Sequence, residues 1–277
     1  MQQVSTVAEL RAVLGKLPRP LGLVPTMGAL HEGHMSLVRQ ARQNNETVVT
    51  TIFVNPTQFG PNEDLGRYPR PIERDLSLLA DGCVDVVFTP SVREMYPDGF
   101  ATSVHVDGPS DGYEGGIRFG HFDGVTTVVA KLLLQSLPDV AYFGRKDAQQ
   151  AAVVRRLVRD LDIPVAIDVI PTVREGDGLA VSSRNSYLTA EQRAVAPVLF
   201  RALSAARDRY RSGGQNAAAL EVMCRGLIAS EPMIESVDYV ALVDADTFKG
   251  WDGRGPCLMI GAVRMGTVRL LDNVVLD

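Results

Sequence analysis

Short apolar runs alternate with segments of helical periodicity through residue 170, and this alternation constrains the fold more than any other feature of the chain. Helical patterns begin near residues 34, 71, 121 and 146, and the apolar runs predict strands at 21–25, 47–54, 84–90, 139–143 and 164–171. Repeated strand–helix–strand units form parallel sheets. The sequence therefore predicts an α/β fold, a Rossmann-like parallel sheet with helices on both faces.

The pattern changes near residue 172. Two helical segments follow at roughly 190–212 and 215–230, and three strand candidates come after them. Successive strands with short connections are typical of antiparallel pairing. We therefore predict two domains: a Rossmann-like domain over residues 1–172 and a smaller C-terminal α+β domain with antiparallel strands over residues 173–277.

The composition argues against several classes of partner. Of the 277 residues, 45% are hydrophobic and 22% charged, and the net charge is −5. A negative chain is not expected to bind nucleic acid or an anionic membrane surface nonspecifically, and no apolar run is long enough to span a bilayer. The three cysteines show neither zinc-site spacing nor a disulfide framework, and the first residues lack a signal-peptide pattern. We therefore expect a cytoplasmic protein.

The stretch "PTMGALHEGHMSLVRQAR" at 25–42 joins a predicted strand to a predicted helix and contains His31 and His34. Gly28 and Gly33 allow the backbone to turn tightly and to approach a ligand. A helix N-terminus at the end of a parallel strand favours an anion, but its dipole contributes only about 0.3–1 kcal/mol. Two imidazole donors aimed at the same point would add the charge stabilisation that phosphoryl transfer needs.

Two other interpretations of this stretch remain open. An isolated H-x-x-H is more often a pair of surface histidines, and a metal-binding pair is also possible, although no third ligand is evident. Neither a P-loop nor the G-x-G-x-x-G fingerprint occurs in the chain. The order of strand, glycine turn, histidines and helix favours a nucleotide site of another kind.

A second segment, "FGRKDAQQ" at 143–150, repeats this arrangement. Gly144 follows a predicted strand, and Lys146 and Asp147 begin the next helix. A lysine at the carboxyl end of a strand can contact phosphates as a compact charge, and the aspartate could bind a ribose hydroxyl. An isolated Lys-Asp pair is more often an ordinary solvated helix start, but the repeated strand–glycine turn favours a functional role.

The histidine stretch resembles the HIGH-type motif of the adenylyl-transferring superfamily that includes class I aminoacyl-tRNA synthetases. Its full string is similar to one family of that superfamily, the pantoate–β-alanine ligases (pantothenate synthetases). Further similar blocks follow in the family's order over nearly the whole chain: "FVNPTQFGPNEDLGRYPR" (53–70), "HFDGVTTVVAKL" (121–132), "FGRKDAQQ" (143–150), "VSSRNSYL" (181–188) and "GAVRMGTVRLLDN" (261–273).

The resemblance implies a reaction in which ATP, pantoate and β-alanine give pantothenate, AMP and pyrophosphate through a pantoyl adenylate, with Mg²⁺. It also implies a homodimer and a C-terminal domain that acts as a lid. The residues implied as catalytic are His34, His31 and Lys146. Those implied to bind ATP are Met27, Gly28, His31, His34, Gly144, Lys146, Asp147, Val173, Val181, Ser182, Ser183 and Arg184. Those implied to bind pantoate or β-alanine are Gln58, Gln150, Asn55, Tyr68 and Arg118.

Some positions depart from the family pattern. Val181 stands where the family usually has Met, and Arg145 and Ala148 replace an acidic and an aromatic residue. These changes leave the polar positions intact, so they bear on specificity and loop kinetics rather than on the reaction. For the metal, Asp75 is the one nearby carboxylate to nominate, since Mg²⁺ can be carried mainly by the ATP phosphates.

Three rival functions are consistent with parts of the sequence. A related nucleotidyltransferase would leave AMP on its product, whereas a ligase frees AMP only when an amine acceptor is added. A regulatory nucleotide-binding domain would bind ATP without turnover. A dimerisation scaffold would use the apolar run at 47–54 or the helix from 121 as an interface.

Overall fold

The computed structural model describes residues 1–276, which form two compact units. The first unit contains residues 1–144 and 153–171, and the second contains residues 145–152 and those from 172 onward. Within residues 1–276, the sheet of the first unit has six strands, all parallel, in the order β1-β4-β3-β2-β5-β6. Their bounds are β1 Gln2–Val4, β2 Leu21–Thr26, β3 Thr47–Ile52, β4 Val86–Phe88, β5 Val140–Gly144 and β6 Ala166–Ile170.

Helices cover both faces of this sheet because its strands are apolar on both sides. Leu23 and Val49 belong to one core cluster, and their chain neighbours Val24 and Val48 belong to another. Successive side chains of a strand point to opposite faces, so the two clusters lie on the two sides of the sheet. The helices are α1 Val7–Leu14, α2 Glu32–Asn44, α3 Ile72–Asp81, α4 Val92–Met95, α5 Tyr113–Ile117, α6 His121–Ser136 and α7 Ala148–Asp160.

The second unit is built on an antiparallel sheet. Within the described residues it has three strands, β7 Ser236–Asp244, β8 Cys257–Met265 and β9 Val268–Leu276, in chain order. Its helices are α8 Ala190–Val195, α9 Val198–Arg211 and α10 Ala217–Ala229. Apolar residues of α9 and α10, including Leu203 and Leu220, pack on the sheet and form the hydrophobic core of the second unit.

The predicted fold class is confirmed, although several elements differ locally. Strand β1 was not predicted, because three residues are too few for a periodic pattern. The helix predicted over 190–212 is two helices, α8 and α9, separated at Pro197. Proline has no N–H for the helical ladder, so the helix ends before it and a new one begins after it.

The boundary between the two compact units lies close to residue 172, where the strand–helix pattern of the sequence changes. The sequence boundary lies between residues 172 and 173, whereas residues 145–152 are grouped with the second unit. The assignment of 1–172 to substrate binding and of 173–277 to a lid stays a prediction. Across residues 1–276, no helix has the length and apolar character needed to cross a membrane.

Candidate active site

The turn at residues 27–34, called the histidine turn from here on, follows β2, and a buried carboxylate holds it in place. Gly28 has φ 78° and Ala29 has φ 50°, so the backbone enters the left-handed region at two successive residues. Asp75 of α3, which is 1% exposed, accepts hydrogen bonds from the N–H groups of Ala29 (2.7 Å) and Leu30 (2.8 Å). A Cβ at Gly28 would lie 3.0 Å from Oδ2 of Asp75. The tight turn therefore depends on glycine and on this carboxylate.

His31 and His34 lie together at the N-terminus of α2. His31 is the residue that precedes the helix, and His34 is in its first turn. The two rings stack with centroids 4.0 Å apart, and the N–H of His31 donates to Nδ1 of His34 at 3.3 Å. A Cβ at Gly33 would lie 2.9 Å from Cε1 of His31, so a larger residue there would displace that ring. Because Nδ1 of His34 accepts, Nε2 carries the proton in the neutral ring and is a donor.

A buried amide pair follows β3. Asn55 is 1% exposed and Gln58 is 8% exposed. Nδ2 of Asn55 donates to Oε1 of Gln58 and to the carbonyl of Gly124, both at 3.0 Å, and Nε2 of Gln58 lies 3.1 Å from Sδ of Met27. A Cβ at Gly124 would lie 2.5 Å from the carbonyl of Thr57, which explains how α6 approaches this turn so closely.

The amide pair and the histidine turn share one edge of the sheet. Strands β2 and β3 are parallel neighbours, with Thr26 opposite Ile52. Met27 and Asn55 therefore both follow the carboxyl ends of adjacent strands, which is where open α/β sheets bind ligands. The structure thus places Met27, Gly28, His31, His34, Asn55 and Gln58 after the carboxyl ends of these two strands, and their contacts with substrates stay predictions.

Arg118 has a different setting from the one expected of a substrate-binding arginine. Its guanidinium forms two hydrogen bonds of 2.7 Å with the carboxylate of Glu63 and contacts Nε2 of His121 at 3.0 Å. Nδ1 of His121 is 2.9 Å from the carbonyl of Gln58. Burial and the nearby Arg118 lower the pKa of His121 to about 4, so the ring is neutral, donating from Nδ1 and accepting at Nε2. Residues 59–71, which connect Gln58 to α3, are called the 59–71 loop, and Arg118 holds this loop next to the backbone of Gln58 through Glu63.

Tyr68 and Asp75 are both buried. Tyr68 is 6% exposed, and its ring packs edge-on against Phe59 with centroids 5.9 Å apart. Both oxygens of Asp75 accept backbone N–H groups of the histidine turn. Among residues 1–276, no group of three or more His, Cys, Asp or Glu side chains is arranged to hold a metal ion. Its bonds to the backbone give Asp75 a structural role in the turn, and the expectation that it binds the metal stays a prediction.

In the second unit, Lys146 lies in a 3-10 turn that strand β9 holds in place. Nδ2 of Asn273 donates to the carbonyls of Arg145 (2.8 Å) and Lys146 (3.0 Å). Nζ of Lys146 lies 3.4 Å from Oδ1 of Asp147. Asn273 is 4% exposed, so these bonds are shielded from water. They explain why residues 145–152 are grouped with the second unit.

The other residues predicted to bind ATP form a hairpin and a short helix. The N–H of Val181 donates to the carbonyl of Val173 at 3.0 Å, and Arg174 and Ala180 form a β-bridge between them. Ser182 then caps a 3-10 helix, Ser183–Tyr187, by accepting from the N–H of Arg184. The structure thus places Val173 and Val181 together and presents Ser182, Ser183 and Arg184 in one compact loop.

A buried ion pair joins this hairpin to the strand that holds Lys146. Arg174 donates to the two oxygens of Asp272 at 2.6 and 2.9 Å, and its guanidinium lies 3.8 Å from the centroid of the Phe200 ring. It also donates to the carbonyl of Asn273 at 3.1 Å. Sequence reasoning missed these three polar residues of the hairpin and β9. Their signal was the pair Asp272-Asn273 inside the apolar run "VRLLDNVVL", since buried polar groups need partners.

Gly144 and Gln150 complete the predicted set. Gly144 ends β5, which is a parallel neighbour of β2, so it lies at the same edge of the first sheet as the histidine turn. Gln150 is partly exposed in the first turn of α7, next to the buried Gln149. The roles of both residues stay predictions.

A parallel sheet that presents stacked histidines on a helix N-terminus at its carboxyl edge defines a nucleotide-binding α/β protein. A family profile described as pantoate-beta-alanine ligase matches residues 2–275. A pantothenate synthetase of Roseiflexus sp. (strain RS-1) is 53% identical over 278 residues and covers 100% of both chains. The chain belongs to the pantoate–β-alanine ligase family, which confirms the resemblance seen in the sequence.

Solved structures agree with this assignment. The crystal structure of pantothenate synthetase from Thermus thermophilus matches with a TM-score of 0.95 at 50% identity, covering 100% of this chain and 99% of that one. The ligase of Francisella tularensis, described as complexed with beta-gamma ATP and β-alanine, matches with a TM-score of 0.82 at 34% identity, covering 100% and 98%. The fold is therefore that of the family over the full length described.

Proposed function

We propose that the chain condenses pantoate with β-alanine at the expense of ATP, giving pantothenate, AMP and pyrophosphate. Family membership supports the overall reaction, and a relative described as complexed with beta-gamma ATP and β-alanine supports the substrates. The single observation that carries the site is the stacked pair His31 and His34 beside the amide pair Asn55 and Gln58 on one edge of the sheet.

In the first step, the pantoate carboxylate attacks the α-phosphate of ATP. A P–O bond forms to pantoate as the bond to pyrophosphate breaks, so the reaction requires positioning and charge stabilisation rather than a protein nucleophile. Nε2–H of His34 donates to the phosphates at the N-terminus of α2, and His31 supports it. Gln58 orients pantoate, and a neutral amide does so without reducing the nucleophilicity of the carboxylate.

In the second step, the amine of β-alanine attacks the carbonyl of the pantoyl adenylate. The C–N bond forms, the C–O bond to AMP breaks, and the proton lost by the amine passes to solvent. Gln58 also contacts β-alanine, while Gln150 and Tyr68 contribute to the substrate side. Arg118 acts indirectly. It holds the 59–71 loop in place, because its guanidinium is paired with Glu63.

The second unit supplies the remaining groups for ATP. Lys146 meets the phosphates as a compact charge, and Asp147 binds the ribose. Ser182, Ser183 and Arg184 offer hydroxyl and guanidinium donors to the leaving pyrophosphate. Val173 and Val181 border the nucleotide in the hairpin. Residues 1–172 thus bind pantoate and most of the nucleotide, and residues 173–277 act as the lid that excludes water from the adenylate.

Magnesium enters as part of the Mg–ATP substrate. The ion takes most of its ligands from phosphates and water, as Mg²⁺ commonly does. We also propose a cytoplasmic homodimer. Free Cys83, Cys224 and Cys257 are consistent with a reducing compartment.

The test is isotope exchange with the purified protein. Labelled pyrophosphate should enter ATP when pantoate is present and β-alanine is absent, and AMP should accumulate only after β-alanine is added. Exchange that does not depend on pantoate would refute the adenylation step. AMP retained on the product would instead indicate a nucleotidyltransferase, and ATP binding without either reaction would indicate a regulatory domain.

A further inference from the structure

Asn55 has no hydrogen-bonding capacity left for a substrate. Its Oδ1 accepts from the hydroxyls of Tyr96 (2.7 Å) and Thr57 (2.9 Å) and from the N–H of Thr57 (3.4 Å). Its Nδ2 group donates one hydrogen bond to the carbonyl of Gly124 and one to Oε1 of Gln58. An amide has two donor hydrogens and one acceptor oxygen, so every group is engaged. A residue this fully bonded acts on its neighbours and not on pantoate.

Backbone groups determine which way each amide points. The carbonyl of Gly124 can only accept, so the atom of Asn55 facing it must be nitrogen. That nitrogen also faces Gln58, and the Gln58 atom opposite it must therefore be the oxygen. The NH₂ group of Gln58 is then the end that faces Met27 in the histidine turn. This assignment follows from the network and does not depend on telling N from O directly.

Tyr96 provides the shortest contact to this network. Its hydroxyl lies 2.7 Å from Oδ1 of Asn55. Its ring is held between Phe53 and Phe100, with centroid distances of 6.2 and 5.1 Å. An aromatic side chain fixed on both sides delivers its hydroxyl to one place with little rotamer freedom.

We propose that Tyr96 is a positioning residue for the reaction: through Asn55 it fixes the Gln58 amide with its NH₂ group toward pantoate. The inference rests on the proposed function and extends it in two respects. It gives Gln58 the part of a donor to pantoate oxygens, and it assigns a role to a tyrosine outside the family-like blocks.

The decisive variant is Tyr96→Phe, which removes only the hydroxyl. We expect the KM for pantoate to rise about three- to tenfold, the loss expected for one hydrogen bond, while the KM for ATP stays unchanged. The matched control is Tyr142→Phe, because the hydroxyl of Tyr142 is likewise bonded to a buried asparagine, Asn45, at 2.7 Å. This control should lower the melting temperature without changing the KM for pantoate.

A double-mutant cycle shows whether Tyr96 acts through Gln58. In a Gln58→Ala background, Tyr96→Phe should have no further effect on the KM for pantoate, because the amide it positions is gone. Gln58→Glu should raise that KM more than Gln58→Ala does, since an acceptor would then face the substrate carboxylate.

Each negative result of these experiments has a distinct interpretation. An unchanged pantoate KM in Tyr96→Phe, or an equal effect of that change in both backgrounds, overturns the positioning role while wild-type turnover keeps the proposed function. Absence of pantothenate formation by the wild-type protein overturns the proposed function itself.

Discussion

His31 donates its backbone N–H to Nδ1 of His34, and this 3.3 Å bond determines which nitrogen of the neutral His34 ring carries the proton. With Nδ1 accepting, Nε2 is the protonated nitrogen of the neutral ring. The ring is further fixed by stacking on His31 at 4.0 Å. The histidine turn thus presents a donor of defined position at a helix N-terminus, the place where an anion is favoured.

Substitutions of His34 should separate the roles of its two nitrogens. His34→Ala should lose on the order of 10²–10³ in turnover, as for other groups that stabilise transition-state charge. Glutamine can place an amide NH₂ near the position of Nε2, whereas asparagine replaces only Nδ1, so His34→Gln should retain more turnover than His34→Asn. Single-turnover formation of the adenylate is the measurement. Equal rates for the two amides would mean that the Nε2 donor is not used.

Lys146 should contribute a similar amount from the other unit. Lys146→Ala is expected to lose on the order of 10²–10³ in turnover, with a smaller effect on ATP affinity. Lys146→Arg should recover little, because a planar guanidinium does not replace a compact ammonium. Arg145→Ala is the matched control, since it removes the neighbouring charge from the same turn, and its turnover should stay near that of the wild type. Near-normal turnover in Lys146→Ala would remove this lysine from the mechanism.

Most strands of the first sheet, and the helices that cover it, could be anticipated because they follow from local patterns. Alternating apolar runs and helical segments predicted β2 to β6, and the glycines beside His31 and His34 predicted the turn. Periodicity is a property of neighbouring residues, so it is visible in a single sequence. It fails for β1, because three residues are too few to show a period and the strand is recognised only by its pairing with the distant β4, where Gln2 lies opposite Val86.

The positioning contacts could not be anticipated for the same reason. Asp75 and Ala29, Tyr96 and Asn55, and Asn273 and Lys146 each meet across different elements of the chain. Residue type alone suggested a metal ligand for Asp75 and a substrate contact for Arg118. Both side chains have protein partners in the structure, because a buried charge is stable only when it is paired or hydrogen-bonded, and their contacts with metal and substrate stay predictions.

The buried pair of Arg174 and Asp272 should matter for the stability of the second unit. Asp272→Ala leaves the Arg174 guanidinium without its carboxylate in a site where the side chains are 18% and 5% exposed. Removing one partner of a buried pair costs about 3–5 kcal/mol. Asp208→Ala is the control in the same unit, since Asp208 is 67% exposed and pairs with Arg207 at the surface; about 0–1 kcal/mol is expected there. Urea unfolding of both variants measures the difference, and equal midpoints would contradict the structural role of the pair.

His121 should make the folded state less stable in mild acid. Burial, followed by the charge of Arg118, lowers the pKa of this histidine from 6.5 to about 4. Between pH 6.5 and about pH 4 this histidine is therefore protonated in the unfolded chain but neutral in the folded chain. The free energy of unfolding falls as the pH falls through that range. Across the full window the loss is roughly 3 kcal/mol. Above pH 6.5 this group contributes no pH dependence.

Urea unfolding from about pH 7.5 to about pH 4 checks this, with His121→Asn as the variant. Asparagine can keep the donor to the Gln58 carbonyl but does not titrate, so the slope of stability against pH should flatten even though the variant is less stable overall. His105→Asn is a control of opposite sign. The hydrogen bond to Asp123 raises the pKa of His105, so its stabilisation is present in acid and is lost as the pH rises above its ordinary value. The plot of stability against pH for the His105 variant should thus differ in slope from that of the wild type only above the ordinary pKa of histidine. An unchanged acid slope in His121→Asn would show that this ring is not the group that titrates.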